Sequence, residues 1–105
     1  MDVSDLASRL EIDEDEAKEL VELFITTTLS DIEKIRKGIS DNNPADVAAG
    51  AHSIKGAAGN LGLDDIFSLT KKMEMQAKGG NLDNFNAHVH DLEGKVNALN
   101  PPTGG

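Results

Sequence analysis

The chain has 105 residues, with 19 Asp and Glu against 10 Lys and Arg, for a net charge of −9 at pH 7. That length fits one small domain, and the acidity argues against binding nucleic acid or an anionic membrane through the whole surface. With no Cys, Trp or Tyr, there is no disulfide framework, no thiolate metal site and no cysteine nucleophile, and any core is aliphatic.

No apolar run approaches the roughly 18 residues of a membrane span. The acidic N-terminus carries no signal-peptide h-region, so the expected location is the cytoplasm. No stretch alternates polar and apolar residues as a strand does. Residues 3–10 suit a short opening helix. Asp13 then reads as an N-cap, with Glu16 as its capping-box partner. Leu20, Phe24, Thr27, Thr28, Ile32, Ile35 and Ile39 recur at helical spacing, which predicts one long helix over 14–40. It stops at Ser40-Asp41-Asn42-Asn43.

Asn43-Pro44 is the preferred order of an N-cap and a first helical residue, and the helix it opens runs to about Leu61. A turn at Asn60-Leu61-Gly62 follows, with Asp64 as a candidate cap for the next helix. That helix carries Ile66, Leu69, Thr70, Met73 and Ala77 on one side and stops at Gly79-Gly80, where a left-handed cap is wanted. The last carries Phe85, Val89, Leu92, Val96 and Leu99, ends at Pro101-Pro102 and leaves a tail. These elements predict an all-α fold: a four-helix up-down-up-down antiparallel bundle with a short N-terminal helical segment. Residues 1–100 form the domain and 101–105 a flexible tail.

The chemistry concentrates on the helix from Pro44. At 100° per residue, Val47, Ala51, Ile54, Ala58 and Leu61 form one core-facing stripe, and His52 falls about 140° from Val47, toward water. Its surface neighbours are Ala48, Ala49, Lys55, Gly56 and Gly59, all Ala or Gly except Lys55. Gly56 and Gly59 each cost about 1 kcal/mol inside a helix relative to Ala. Close approach of another backbone to His52 offsets that cost, and so would tight packing of a helix within the same bundle. Lys55 places an ammonium where an anion would gather.

The run Ala51-His52-Ser53-Ile54-Lys55-Gly56-Ala57-Ala58-Gly59-Asn60-Leu61-Gly62-Leu63 resembles the signature of histidine-containing phosphotransfer (HPt) domains: His-x-x-Lys-Gly, small residues, and a Gly ten after the His. It is similar also to the phosphotransfer domain of chemotaxis histidine kinases. The resemblance implies a phosphoryl carrier of a two-component phosphorelay. His52 falls on the phosphorylated His, Lys55 on the phosphoryl neighbour, and Gly56 on the Gly that gives a receiver room. Glu74 matches a Glu that bonds the imidazole in the chemotaxis kinases. A carboxylate there would hold Nδ1–H and leave Nε2 bare; a solvated surface Glu is the other reading, and Gln76 is a further polar partner. Lys71 stands where those kinases often carry a second His, which departs from their pattern.

The implied partners are a histidine kinase and response-regulator receiver domains, and the chain is expected to act as a monomer. It would bind no cofactor; Mg²⁺ belongs to the receiver. Residues 1–33 hold 11 acidic and 2 basic residues, whereas 52–78 hold Lys55, Lys71, Lys72 and Lys78 against three acidic ones. The receiver would thus dock on Ala48, Ala49, Gly56, Gly59 and Lys71. No strand precedes Gly56-x-x-Gly59-x-x-Gly62, so it is no nucleotide loop, and an ATP-using kinase is not expected. His88 and His90 point to different sides of one helix and cannot share a metal from one face. The competing readings are a non-covalent helical adaptor, the N-terminal phosphotransfer domain of a larger histidine kinase, and, ranked below these, a hydrolase with His52 as general base.

Overall fold

The computed structural model describes residues 3–99; the expected tail at 101–105 and the Pro101-Pro102 stop lie outside them. Five helices follow in order: α1 (Val3–Leu10), α2 (Glu14–Ser40), α3 (Pro44–Leu61), α4 (Asp64–Lys78) and α5 (Phe85–Asn97). There is no strand among the described residues. Helices α2 to α5 form the up-down-up-down bundle. Each packs on its neighbours in the cyclic order α2, α3, α4, α5, and α1 packs on α2.

The caps follow from the turn residues. Asp13 Oδ1 accepts from the Glu16 N–H at 2.8 Å, and Asn43 Oδ1 accepts from the Asp46 N–H at 3.3 Å. Gly62 closes α3 at φ +70°. Its N–H donates to Gly59 O and the Leu63 N–H to Ala58 O, a Schellman arrangement that satisfies two orphan carbonyls. That turn also moves the start of α4. Leu63 O accepts from the Phe67 N–H, so Asp64 is the first helical residue and not the cap. Asp64 and Asp65 then sit in the first turn, where carboxylates suit the helix dipole. After α4 the left-handed residue is Gly80, at φ +80°, and not Gly79.

The core is aliphatic apart from Phe24 and Phe85. The stripes on α3 and α5 lie as the spacing predicts, with Val47, Ala51, Ile54, Ala58, Phe85, Val89, Leu92 and Val96 buried. On α2 the stripe shifts: Ala17 and Val21 are buried, while Leu20 and Thr27 are exposed. They lie about 120° and 140° around the helix from Ile32, too far to share its face.

Close approach of α2 and α3 places everything that follows. A Cβ on Gly38 would stand 2.8 Å from Val47, and one on Gly50 would stand 2.7 Å from Ile35. Both glycines are buried. At the end of the bundle Arg9 of α1 donates through Nη2 to Leu61 O at 2.7 Å, capping α3 from outside.

Candidate functional site

His52 projects from the middle of α3 with its side chain 67% exposed. On the α4 side it meets Glu74, whose carboxylate is buried; His52 Nδ1 and Glu74 Oε2 are 3.0 Å apart. Lys55, one turn along α3, puts Nζ 2.7 Å from Oε1, and Lys78, one turn along α4, puts Nζ 3.0 Å from Oε2. Thus one buried carboxylate holds an imidazole and two ammonium groups.

This arrangement fixes the charge on Glu74. The contact with Lys55 holds its carboxyl well below the usual range, at about 2; burial pushes the other way, and Lys78 adds to the lowering. An ionised carboxylate only accepts hydrogen bonds. Nδ1 must therefore carry the proton in the bond to Glu74, and in the neutral ring Nε2 keeps its lone pair. A shallow recess beside the ring is lined by Ala45, Ala48, Ala49, His52, Glu74 and Lys78.

The small residues around His52 divide. Ala48 is buried, so its methyl belongs to the core and only to the floor of the recess; this corrects its expected place on an exposed docking face. It points about 40° nearer the Val47 direction than His52 does, which turns it under α4. A Cβ on Gly59 would lie in ordinary van der Waals contact with the Phe67 ring, at 3.4 Å, so Gly59 borders α4 while staying exposed. Gly56 is different: a Cβ there would have nothing within 4 Å. Ala49, Gly56, Gly59 and Lys71 are all exposed.

Gln76 does not reach the imidazole; its Nε2 donates to Asp83 O at 2.8 Å, tying α4 to the next turn. His88 packs edge-on against Phe85, the ring centroids 5.7 Å apart, and His90 is exposed. Met73 is core and Met75 is exposed.

Sequence reasoning did not assign Lys78 to the site, although its i+4 spacing from Glu74 was a usable signal. It also did not assign Asp31. That carboxylate is buried on α2, where Oδ2 accepts from Ser53 Oγ at 2.9 Å and Lys34 Nζ stands 3.8 Å from Oδ1.

The Hpt domain pattern matches residues 19–100. The chain therefore belongs to the Hpt domain family. It is 32% identical over 87 residues to the phosphorelay intermediate protein YPD1 of Candida albicans. That alignment covers 80% of this chain and 46% of YPD1, so the chain spans about half the length of that relative. The fold is similar to the crystal structure of histidine-containing phosphotransfer protein B from Pseudomonas aeruginosa PAO1, with a TM-score of 0.81 and 24% identity. The match covers 90% of this chain and 83% of that one.

Proposed function

We propose that the chain is a phosphoryl carrier of a two-component phosphorelay, in which His52 exchanges a phosphoryl group with the aspartate of a receiver domain. The observation that carries this reading is an exposed imidazole whose Nδ1 lies 3.0 Å from a buried, ionised carboxylate. A hydrogen bond at one ring nitrogen decides which nitrogen is left free to react.

The step balances without moving a ring proton. Nε2 attacks the phosphorus of the aspartyl phosphate, an N–P bond forms, the P–O bond breaks, and the aspartate leaves with the electron pair. Nδ1 keeps its proton throughout, so the ring becomes a phosphoimidazolium whose positive charge faces Glu74. The return step reverses each change. Lys55, which shares Glu74 with the ring, offsets charge on the phosphoryl oxygens. The receiver brings Mg²⁺ and an acidic pocket that stabilise the group in flight. This chain supplies the nucleophile and a docking face of Ala49, Gly56, Gly59 and Lys71, with an alanine-floored recess beside the ring. It has no ATP-binding motif, so a histidine kinase charges the relay, and this chain carries the group as a cytoplasmic monomer needing no cofactor of its own.

The test is the lifetime of a phosphorylated receiver. Adding the chain with Mg²⁺ should discharge the receiver at least tenfold faster. An unchanged lifetime across a panel of receivers that bind the chain would favour the adaptor reading.

No helix of the described residues is long and apolar enough to cross a membrane.

A further inference from the structure

The two residues His52 and Ser53 are neighbours in sequence, and each grips a buried carboxylate on a different helix. His52 takes Glu74 of α4 at 3.0 Å, and Ser53 takes Asp31 of α2 at 2.9 Å. Successive helical residues lie about 100° apart, so the two bonds pull on α3 from opposite flanks. A rotation of α3 that shortens one lengthens the other.

Such a yoke adds to the packing of α3. Its buried stripe mixes the small Ala48, Gly50, Ala51 and Ala58 with Val47, Ile54 and Leu61, and Val47 and Gly50 seat it closely against Gly38 and Ile35 of α2. Packing of this kind sets the face that α3 buries, whereas the bond at His52 needs a finer setting of its rotation. The side-chain envelope of a helix extends about 5–6 Å from its axis, so a rotation of about 20° carries a side-chain tip about 2 Å. That displacement would break the bond between Nδ1 and Glu74. Asp31 also needs a reason to be buried as a carboxylate, since its nearest ammonium is 3.8 Å away on a lysine that is 71% exposed. Buried polar groups of this kind gain little stability and serve best to specify a register.

From this we infer that Asp31, acting through Ser53, is a positioning residue for His52: it sets the rotation of α3 at which the imidazole meets Glu74. This rests on the reading of His52 as the nucleophile. Asp31 touches no reacting atom. Its effect is on which ring nitrogen carries the proton and on how often the ring is aligned.

The experiment compares the wild type with Ser53→Ala, Ser53→Thr, Asp31→Asn and the double variant Ser53→Ala/Asp31→Asn. Two readouts are used: the ¹⁵N shifts of the neutral His52 ring, and the rate of phosphorylation by phosphoramidate, a small donor that needs no docking. Ser53→Ala should move the ring from the Nδ1–H tautomer toward the Nε2–H form that an unrestrained imidazole prefers. It should also slow phosphorylation about fivefold to tenfold. Ser53→Thr keeps the hydroxyl and should restore both. The double variant should be no slower than Ser53→Ala alone, because both changes remove one bond.

A wild-type tautomer and rate in Ser53→Ala would overturn the inference. So would a slower rate with an unmoved tautomer, since that would leave the bond a purely structural role. If Ser53→Ala does not fold, Ser53→Thr and Asp31→Asn carry the same comparison, with Asp31→Asn expected between the wild type and full loss. Failure of the carrier reading is separately visible: the wild type would then take no phosphoryl group from any donor, while the tautomer comparison would still report on positioning.

Discussion

Glu74 and His52 stand 3.0 Å apart with opposite exposures: the carboxylate side chain is 5% exposed and the imidazole 67%. The buried partner is therefore the fixed one. It is held by Lys55 and Lys78 before any phosphoryl group arrives, and it presents the exposed ring with one nitrogen already committed.

Replacing the charge tests that relationship. Glu74→Gln keeps the shape and an acceptor oxygen but removes the negative charge that faces the imidazolium. Hydrogen bonds to charged groups are worth about 1.5–3 kcal/mol, so transfer to His52 should slow by about tenfold to a hundredfold. Stopped-flow discharge of a phosphorylated receiver measures this. A rate within twofold of wild type would mean that Glu74 orients nothing.

Acid stability carries the same signature. The carboxyl of Glu74 titrates at about 2 in the native state against 4.5 ordinarily, so the unfolded chain binds that proton more readily. The contribution to stability is whole above the unfolded value, declines as pH falls below it, and is lost once pH has passed through the native value. Urea unfolding at about pH 6 and about pH 3 should show the wild type losing more of its stability than Glu74→Gln does.

Gly56 and Gly62 separate two uses of glycine. Nothing lies within 4 Å of a Cβ on Gly56, so Gly56→Ala should stabilise the fold by up to about 1 kcal/mol through helix propensity. Gly56→Gln should instead raise the receiver KM about tenfold, because the longer side chain stands on the docking face. Chemical denaturation and transfer kinetics on the two variants read both effects.

At Gly62 the backbone is left-handed, and a Cβ would run into the Arg9 guanidinium. Gly62→Ala should cost about 1–2 kcal/mol or more. Arg9→Ala removes the clash but also the donor to Leu61 O, so the double variant is read against Arg9→Ala alone in a thermal melt. There Gly62→Ala should cost less than in the wild type, leaving only the backbone strain. No cost of Gly62→Ala in the Arg9→Ala background would mean that the positive φ costs nothing.

What could be read from the sequence depended on whether the signal was local. The face that turns His52 outward is local: Val47, Ala51, Ile54 and Ala58 repeat within one helix, and the structure buries all four. The cap at Asn43-Pro44 was legible for the same reason. Over the 27 residues of α2, small errors of phase mattered more, and Leu20 and Thr27 fell off the buried stripe. Asp64 missed its role because the Schellman turn began the helix one residue early. Partners across helices depend on the register between helices, which no local spacing encodes. Glu74 entered only through the family resemblance, and the pair Ser53–Asp31 had no signal at all. Gln76, with the same local credentials as Glu74, turned to Asp83 O instead.

The central claim is tested most directly by phosphoryl transfer from a radiolabelled, phosphorylated receiver domain, with Mg²⁺, to the wild type and to His52→Gln. The account predicts an acid-labile, base-stable label on the wild type and none on the variant. A label of equal strength on His52→Gln would contradict it, and would move the search to His88 and His90.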